Sequence, residues 1–304
     1  MRDAISQFDL PLPGSQPQPV SLACRAAGRP DAARRVLLLH GFPQAAFAWD
    51  EVLLALAPEA YALAPNQRGY AGSSAPAEVA AYRVRHLVAD ALALLAHLGV
   101  SAERPLDLLV AHDWGGGVAW NLAALRPELI RRLVILNSPH PATFRRELLA
   151  SPAQRAASAY MHDLVQPDAA ARLAADGFAA LLAMLERFGD AHWLTPALRA
   201  QHRAVWSQGL DGALNWYRAS PLRPPTGPHD QALAQLQLPD SVVRVSVPTT
   251  LLWGEADHAL LPGLLDGLQQ WVPELTVHRH PQASHWIVHE QPAWVIAHLK
   301  ALLA

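Results

Sequence analysis

The sequence predicts an α/β protein: a mostly parallel sheet flanked by helices, with an inserted helical segment. Three observations predict it. Short, continuously apolar runs alternate with longer segments of helical periodicity, the order expected when both faces of a parallel sheet are covered. The stretch LLVAHDWGGGVAW, Leu108 to Trp120, reads as a strand, a sharp turn and a helix. From Pro141 to about Pro228 the pattern becomes Ala-rich and helical with no clear strand, and so interrupts the alternation.

The elements follow in order. RRVLLLH (Arg34 to His40) and AYALAP (Ala60 to Pro65) are apolar enough for buried strands. In RHLVADALALLAHLG, Leu87, Val88, Ala91, Leu92 and Leu95 recur at helical spacing, and Gly99 is a stop signal. LDLLVAH (Leu106 to His112) is the next strand, followed by a helix over Trp114 to Leu125, and RLVILN (Arg132 to Asn137) is another strand. After the insertion come TTLLWG (Thr249 to Gly254) and LTVHRH (Leu275 to His280). A last helix starts at Pro292, where proline suits the first turn, and runs AWVIAHLKALL. The expected organisation is therefore a core in two parts, 1–140 and 229–304, with a helical cap at 141–228. The cap is expected to cover the carboxyl edge of the sheet, where open α/β sheets place their sites.

Composition narrows the function. With 304 residues, 51% hydrophobic and a net charge of -2, the chain has the material for a large core and no basic footprint for nucleic acid. The single cysteine, Cys24, excludes an intrachain disulfide and suits a reducing, cytoplasmic setting. The start, MRDAISQFDLPLPG, lacks the apolar region of a secretory signal. No uninterrupted apolar run reaches the ~18 residues of a membrane span, so no membrane partner is expected.

The chemistry centres on Asp113. Small residues stand two before it (Ala111) and two after it (Gly115), the pattern of a nucleophile elbow with a carboxylate where Ser is usual. A helix N-terminus stabilises that anion. A carboxylate needs no deprotonation near neutral pH; it attacks a saturated carbon and forms an alkyl-enzyme ester. Hydrolysis of the ester then needs a base and an oxyanion hole. A simple helix N-cap also takes Asp, but capping explains neither the small flanking residues nor the downstream partners. Those partners come in the order nucleophile, acid, histidine. Asp257 follows TTLLWG, and His285 follows LTVHRH. Asn137 occupies a rival acid position but carries no charge, and Glu255 is the second choice of acid. The oxyanion donors are the backbone N–H of Trp114 and that of Phe42, in the HGFP loop (His40 to Pro43), where Gly41 lets the chain turn. His40, His112 and His140 organise the turns. His285 and His289 have the spacing of a helical metal pair, but no third ligand accompanies them, so neither metal nor cofactor is expected.

HGFPQAAFAW, APNQRGYAGSS, HDWGGGVAW, LNSPHP, NWYRAS, WGEADHAL and ASHWIVHEQP together resemble the α/β-hydrolase superfamily, specifically its epoxide hydrolase branch, over nearly the whole chain. The resemblance implies that the Asp of HDWGG attacks an epoxide and that the His of the last motif drives ester hydrolysis. It also implies a helical cap between core strands. An opened epoxide needs its oxygen protonated, and two phenols suit that task. Tyr217 in LNWYRAS looks like one of the family's lid tyrosines. Tyr160, seven residues before Pro167, matches the other by spacing. His40, Pro43, His112, Trp216 and Trp286 are expected around the substrate pocket. The expected partners are a small apolar epoxide and water, with a homodimer left open.

Competing readings share the nucleophile. Haloalkane dehalogenases commonly carry Asn where this chain has Phe42. Fluoroacetate dehalogenases usually carry Arg where it has Trp114, so the clamp for a haloacid carboxylate is missing. Esterase chemistry wants Ser at the elbow. A non-catalytic, ligand-binding member of the fold is the reading from another class, but Asp113, Asp257 and His285 are all present.

Overall fold

The computed structural model describes residues 4–227 and 229–304, so the expected cap boundary at Pro228 and the first three residues of the opening segment lie outside the described residues. Eight strands form one sheet: β1 (Ser6–Leu12), β2 (Val20–Ala27), β3 (Arg35–Leu39), β4 (Tyr61–Pro65), β5 (Leu108–His112), β6 (Leu133–Leu136), β7 (Thr249–Gly254) and β8 (Leu275–His280). Their order across the sheet is β1-β2-β4-β3-β5-β6-β7-β8. β1 and β2 pair antiparallel, as do β2 and β4; every other pair is parallel.

β3, β5, β6 and β7 are buried along their whole length, which is why they read as unbroken apolar runs. Alternate residues face two cores. Leu37, Leu39, Leu109 and Ala111 enter one, and Val36, Leu38, Leu108 and Val110 the other. Helices α1 (Asp50–Leu56), α2 (Val84–His97) and α3 (Trp114–Leu125) connect the strands, with α2 and α3 close to the spans that the periodicity predicts. The antiparallel pair at the N-terminal edge was not expected from the sequence. In β2, Val20, Leu22, Cys24 and Ala26 are buried while Ser21, Ala23 and Arg25 are only half-buried, a period of two instead of a continuous run.

Between β6 and β7 stand α4 (Pro141–Ala150), α5 (Pro152–Ala157), α6 (Met161–Leu164), α7 (Ala169–Arg187), α8 (Pro196–Trp206) and α9 (Asp211–Ala219). Two short helices, α10 (Ala232–Gln235) and α11 (Asp240–Val243), lead back to the sheet. Within α7 the helix breaks at Ala175 to Phe178, where Asp176, Gly177 and Phe178 take positive φ. The inserted helices contact the loops at the carboxyl ends of the strands. The Trp206 indole N–H donates to the Pro43 carbonyl (2.7 Å), and the Trp216 N–H to that of Arg68 (2.9 Å). Beneath that contact the Arg68 guanidinium is buried and paired through two bonds of 2.7 Å with Asp90, which fixes the 66–72 loop. After β8, α12 (Ile287–Glu290) and α13 (Pro292–Leu303) close the chain. No helix among the described residues is long and apolar enough to cross a membrane.

Candidate active site

Asp113 sits between the end of β5 and the first residue of α3, with φ 49° and ψ -124°. A non-glycine residue pays about 1–3 kcal/mol to hold such a conformation, and close packing enforces it. A Cβ on Gly115 would collide with the backbone carbonyls of Leu39 and His40, so α3 starts hard against β3 only because that position is glycine. The Ser138 hydroxyl donates to the Asp113 carbonyl (2.6 Å) and holds the turn from the β6 side.

The turn delivers the carboxylate to two backbone donors. The Phe42 N–H donates to Asp113 Oδ1 at 2.7 Å. A Cβ on Gly41 would strike that same oxygen, so the HGFP loop reaches it only with glycine there. The Trp114 N–H also bonds to the carboxylate. Asp113 Oδ2 lies 3.6 Å from His285 Nε2, and His285 Nδ1 lies 2.8 Å from Asp257 Oδ2. Burial opposes both the Asp113 anion and the His285 cation, but their mutual attraction outweighs it. Asp113 is held below the usual carboxylate range. The Asp257 and Asp113 carboxylates raise His285 from 6.5 to about 10. At rest, therefore, the imidazole is a cation between two carboxylates.

Asp257 is fully enclosed by donors. Its Oδ1 accepts from the Ala259 and Leu260 N–H groups (2.7 and 2.9 Å), and its Oδ2 from Asn137 Nδ2 (2.8 Å) as well as His285. Asn137, at φ 34°, also bonds both polar groups of the Gly254 backbone. The uncharged residue at the rival acid position thus braces the acid, a role the sequence reading did not assign to it. Glu255, the second acid weighed, pairs with Arg279 (3.0 Å).

Aromatic rings cover the carboxylate. Tyr217, on α9, is buried and lies edge-on to Phe42 and Trp114 (centroids 5.2 and 5.0 Å apart). Tyr160 stands 6.3 Å from Tyr217 and 4.9 Å from Phe188. Burial, the neighbouring phenol and the Asp113 charge push the Tyr217 hydroxyl well above its usual value. Burial and the Asp113 charge do the same to Tyr160, so both remain neutral donors. Phe188 is a contact sequence reasoning missed. Its carbonyl accepts from the His285 N–H (3.4 Å) and its ring lies 6.2 Å from that imidazole.

The remaining expected pocket residues have the following partners. His40 donates from Nδ1 to the Gly41 carbonyl (3.0 Å) and accepts the Gln67 N–H at Nε2 (3.2 Å). His112 donates from Nε2 to the His285 carbonyl (2.8 Å). Burial lowers both to about 4, so both are neutral. Trp286 gives its N–H to Leu185 (2.6 Å), while Trp216 meets Trp114 and Tyr70 edge-on. Pro43 receives Trp206, as noted above.

An elbow on the fifth strand, served by an acid after the seventh and a histidine after the eighth, defines the class of α/β hydrolases. The comparisons with known proteins agree. The model of the alpha/beta hydrolase fold family matches residues 34–292, and the chain belongs to that family, on its epoxide hydrolase branch. It is similar to the Bacillus subtilis AB hydrolase superfamily protein YfhM, 31% identical over 280 residues that span 91% of this chain and 92% of that one. It is likewise similar to mouse Epoxide hydrolase 4, 31% identical over 268 residues spanning 84% of this chain and 69% of the relative. Among solved structures it resembles one of the novel epoxide hydrolases of the alpha/beta hydrolases superfamily from metagenomes of hot environments. That match has a TM-score of 0.86 and 33% identity over 99% of each chain.

Proposed function

We propose that the protein is an epoxide hydrolase that converts an epoxide and water to a vicinal diol, with residues 141–228 as its cap. The observation that carries the reading is a carboxylate, in place of a hydroxyl, at an elbow covered by two neutral tyrosines. Asp113 Oδ2 attacks a ring carbon, while Oδ1, which accepts the Phe42 N–H, becomes the ester carbonyl oxygen; the Trp114 N–H also bonds to the carboxylate. Tyr217 and Tyr160 donate to the departing ring oxygen.

The proton balance follows from the charges. Esterification removes one of the two carboxylates that stabilise the His285 cation, so its proton affinity falls. The proton it releases matches the one the opened ring takes up through the tyrosines. His285, now neutral, accepts a proton from the water that attacks Asp113 Cγ. The diol leaves as the alkyl C(=O)–O bond breaks, and the Asp113 anion and His285 cation are restored. A haloalkane would use the same nucleophile but would leave the tyrosines without a task.

The test is intact-protein mass after mixing His285→Gln with styrene oxide and, separately, with a haloalkane. The expected result is a gain equal to the whole epoxide, mapped to Asp113. A gain from the haloalkane alone, less its halogen, reassigns the protein as a dehalogenase.

A further inference from the structure

Next to His285, reached through Trp286, lies a group of largely buried polar side chains with no task in the mechanism above. Trp193 stacks on His289 (centroids 4.3 Å, 8° between planes) and lies 6.2 Å from His202 and 5.9 Å from Trp286. Trp286 is in turn 6.1 Å from His112 and 4.7 Å from His285, so the group is continuous with the catalytic histidine. The side-chain amide of Gln44, two residues beyond Phe42, meets His289 Nε2 at 2.6 Å. Three atoms of this group are buried without a protein partner: His112 Nδ1, Trp193 Nε1 and His202 Nε2. The side chains that carry them are at most 6% exposed.

The chemistry of the three atoms is settled by their other bonds. His112 donates from Nε2 to the His285 carbonyl, and His202 from Nδ1 to the Leu198 carbonyl (2.8 Å). Burial keeps both rings neutral, which leaves a bare lone pair on each remaining nitrogen. Trp193 Nε1 is only a donor. Each of these buried atoms lacks a partner from the protein, and water, which both donates and accepts, can serve acceptor and donor alike; each such group left dry costs free energy. Among the described residues, no three His, Cys, Asp or Glu side chains are placed to hold a metal ion. His289 is the half-buried member, where the group meets solvent.

We propose that Gln44, His112, Trp193, His202 and His289 form a water-holding pocket next to His285 that feeds the second half-reaction. This rests on the reading of the protein as an epoxide hydrolase. The face of Asp113 that receives the epoxide is walled by Phe42, Trp114, Tyr160, Phe188 and Tyr217, and a bound apolar substrate displaces water from it. The water that attacks Asp113 Cγ and passes its proton to His285 therefore comes from the polar side. His202 and Trp193 are positioning residues: they hold water and touch no substrate.

The experiment is a rapid-mix, quenched-flow series with styrene oxide, following the Asp113 ester by intact mass. His202→Phe keeps the ring and removes the acceptor. Ester formation should be unchanged within about twofold, while ester hydrolysis slows about tenfold, the scale of losing one well-held water. His202→Gln, which returns an acceptor at similar reach, should restore the rate. Trp193→Phe, which keeps a ring on His289, should show the same split and serves where His202→Phe folds poorly. Equal ester clearance in His202→Phe, Trp193→Phe and wild type overturns the pocket and leaves the epoxide reading intact. If His285→Gln forms no ester at all, both fall.

Discussion

Raising a histidine from 6.5 to about 10 inside a folded protein is also a statement about stability. The group binds its proton more tightly folded than unfolded. Its contribution is therefore fully present below about pH 6.5 and is lost as pH rises through 10. Each tenfold gain in proton affinity is worth about 1.4 kcal/mol. The His285 cation then contributes about 4 kcal/mol at pH 6.5, roughly 3 at pH 8 and little at pH 10. The lowered Asp113 reports the same attraction from the other side, so it is counted once. The perturbation is His285→Gln, which has no proton to lose in this range. Denaturant unfolding of wild type and variant at pH 6.5, 8 and 10 reads the difference directly. The wild-type advantage should shrink by about 4 kcal/mol between the first and last pH. A gap constant across the range refutes the resting ion triad, and with it the claim that esterification turns His285 into a base.

Two further perturbations separate chemistry from scaffolding. Tyr217→Phe should slow ester formation from an epoxide by about 10²- to 10³-fold, the scale of losing one aimed donor, in single-turnover mass measurements; an unchanged rate removes Tyr217 from the reaction. Asn137→Ala gives up the bonds to Asp257 and to both polar groups of Gly254. It should cost about 2–3 kcal/mol in denaturant unfolding, and a loss under about 0.5 kcal/mol, within the scatter of a surface substitution, refutes the bracing role.

Most of the parallel sheet was legible because its strands are buried on both faces, and a continuous apolar run needs no partner to be recognised. β2 was not, since its signal is alternation beside a proline-rich segment, and β1 follows it only by pairing. The positions of Asp113, Asp257, His285 and Phe42 were legible for another reason. Each lies just after a strand, and parallel strands deliver all such positions to one edge. Phe188, Trp193 and His202 carry no comparable local mark. They reach the site through the path of the inserted helices, which no short stretch of sequence encodes. Asn137 shows a subtler limit: the reading weighed its charge and rejected it as an acid, while its value lies in its two-sided amide.

The inserted helices leave the sheet after β6 and return in β7, two strands that are hydrogen-bonded neighbours, with Leu136 opposite Leu252. To the sheet, the whole insertion is one crossover connection. It leaves the carboxyl end of β6 and returns to the start of β7, where Thr249 stands opposite Leu133, so it need span only about one strand length; beyond that, closing a longer or shorter loop changes the free energy only logarithmically. Strand order and the elbow are thus indifferent to how much chain is threaded between them. The inserted segment is in this sense a cassette: its length can change while the strands that carry Asp113, Asp257 and His285 keep their places.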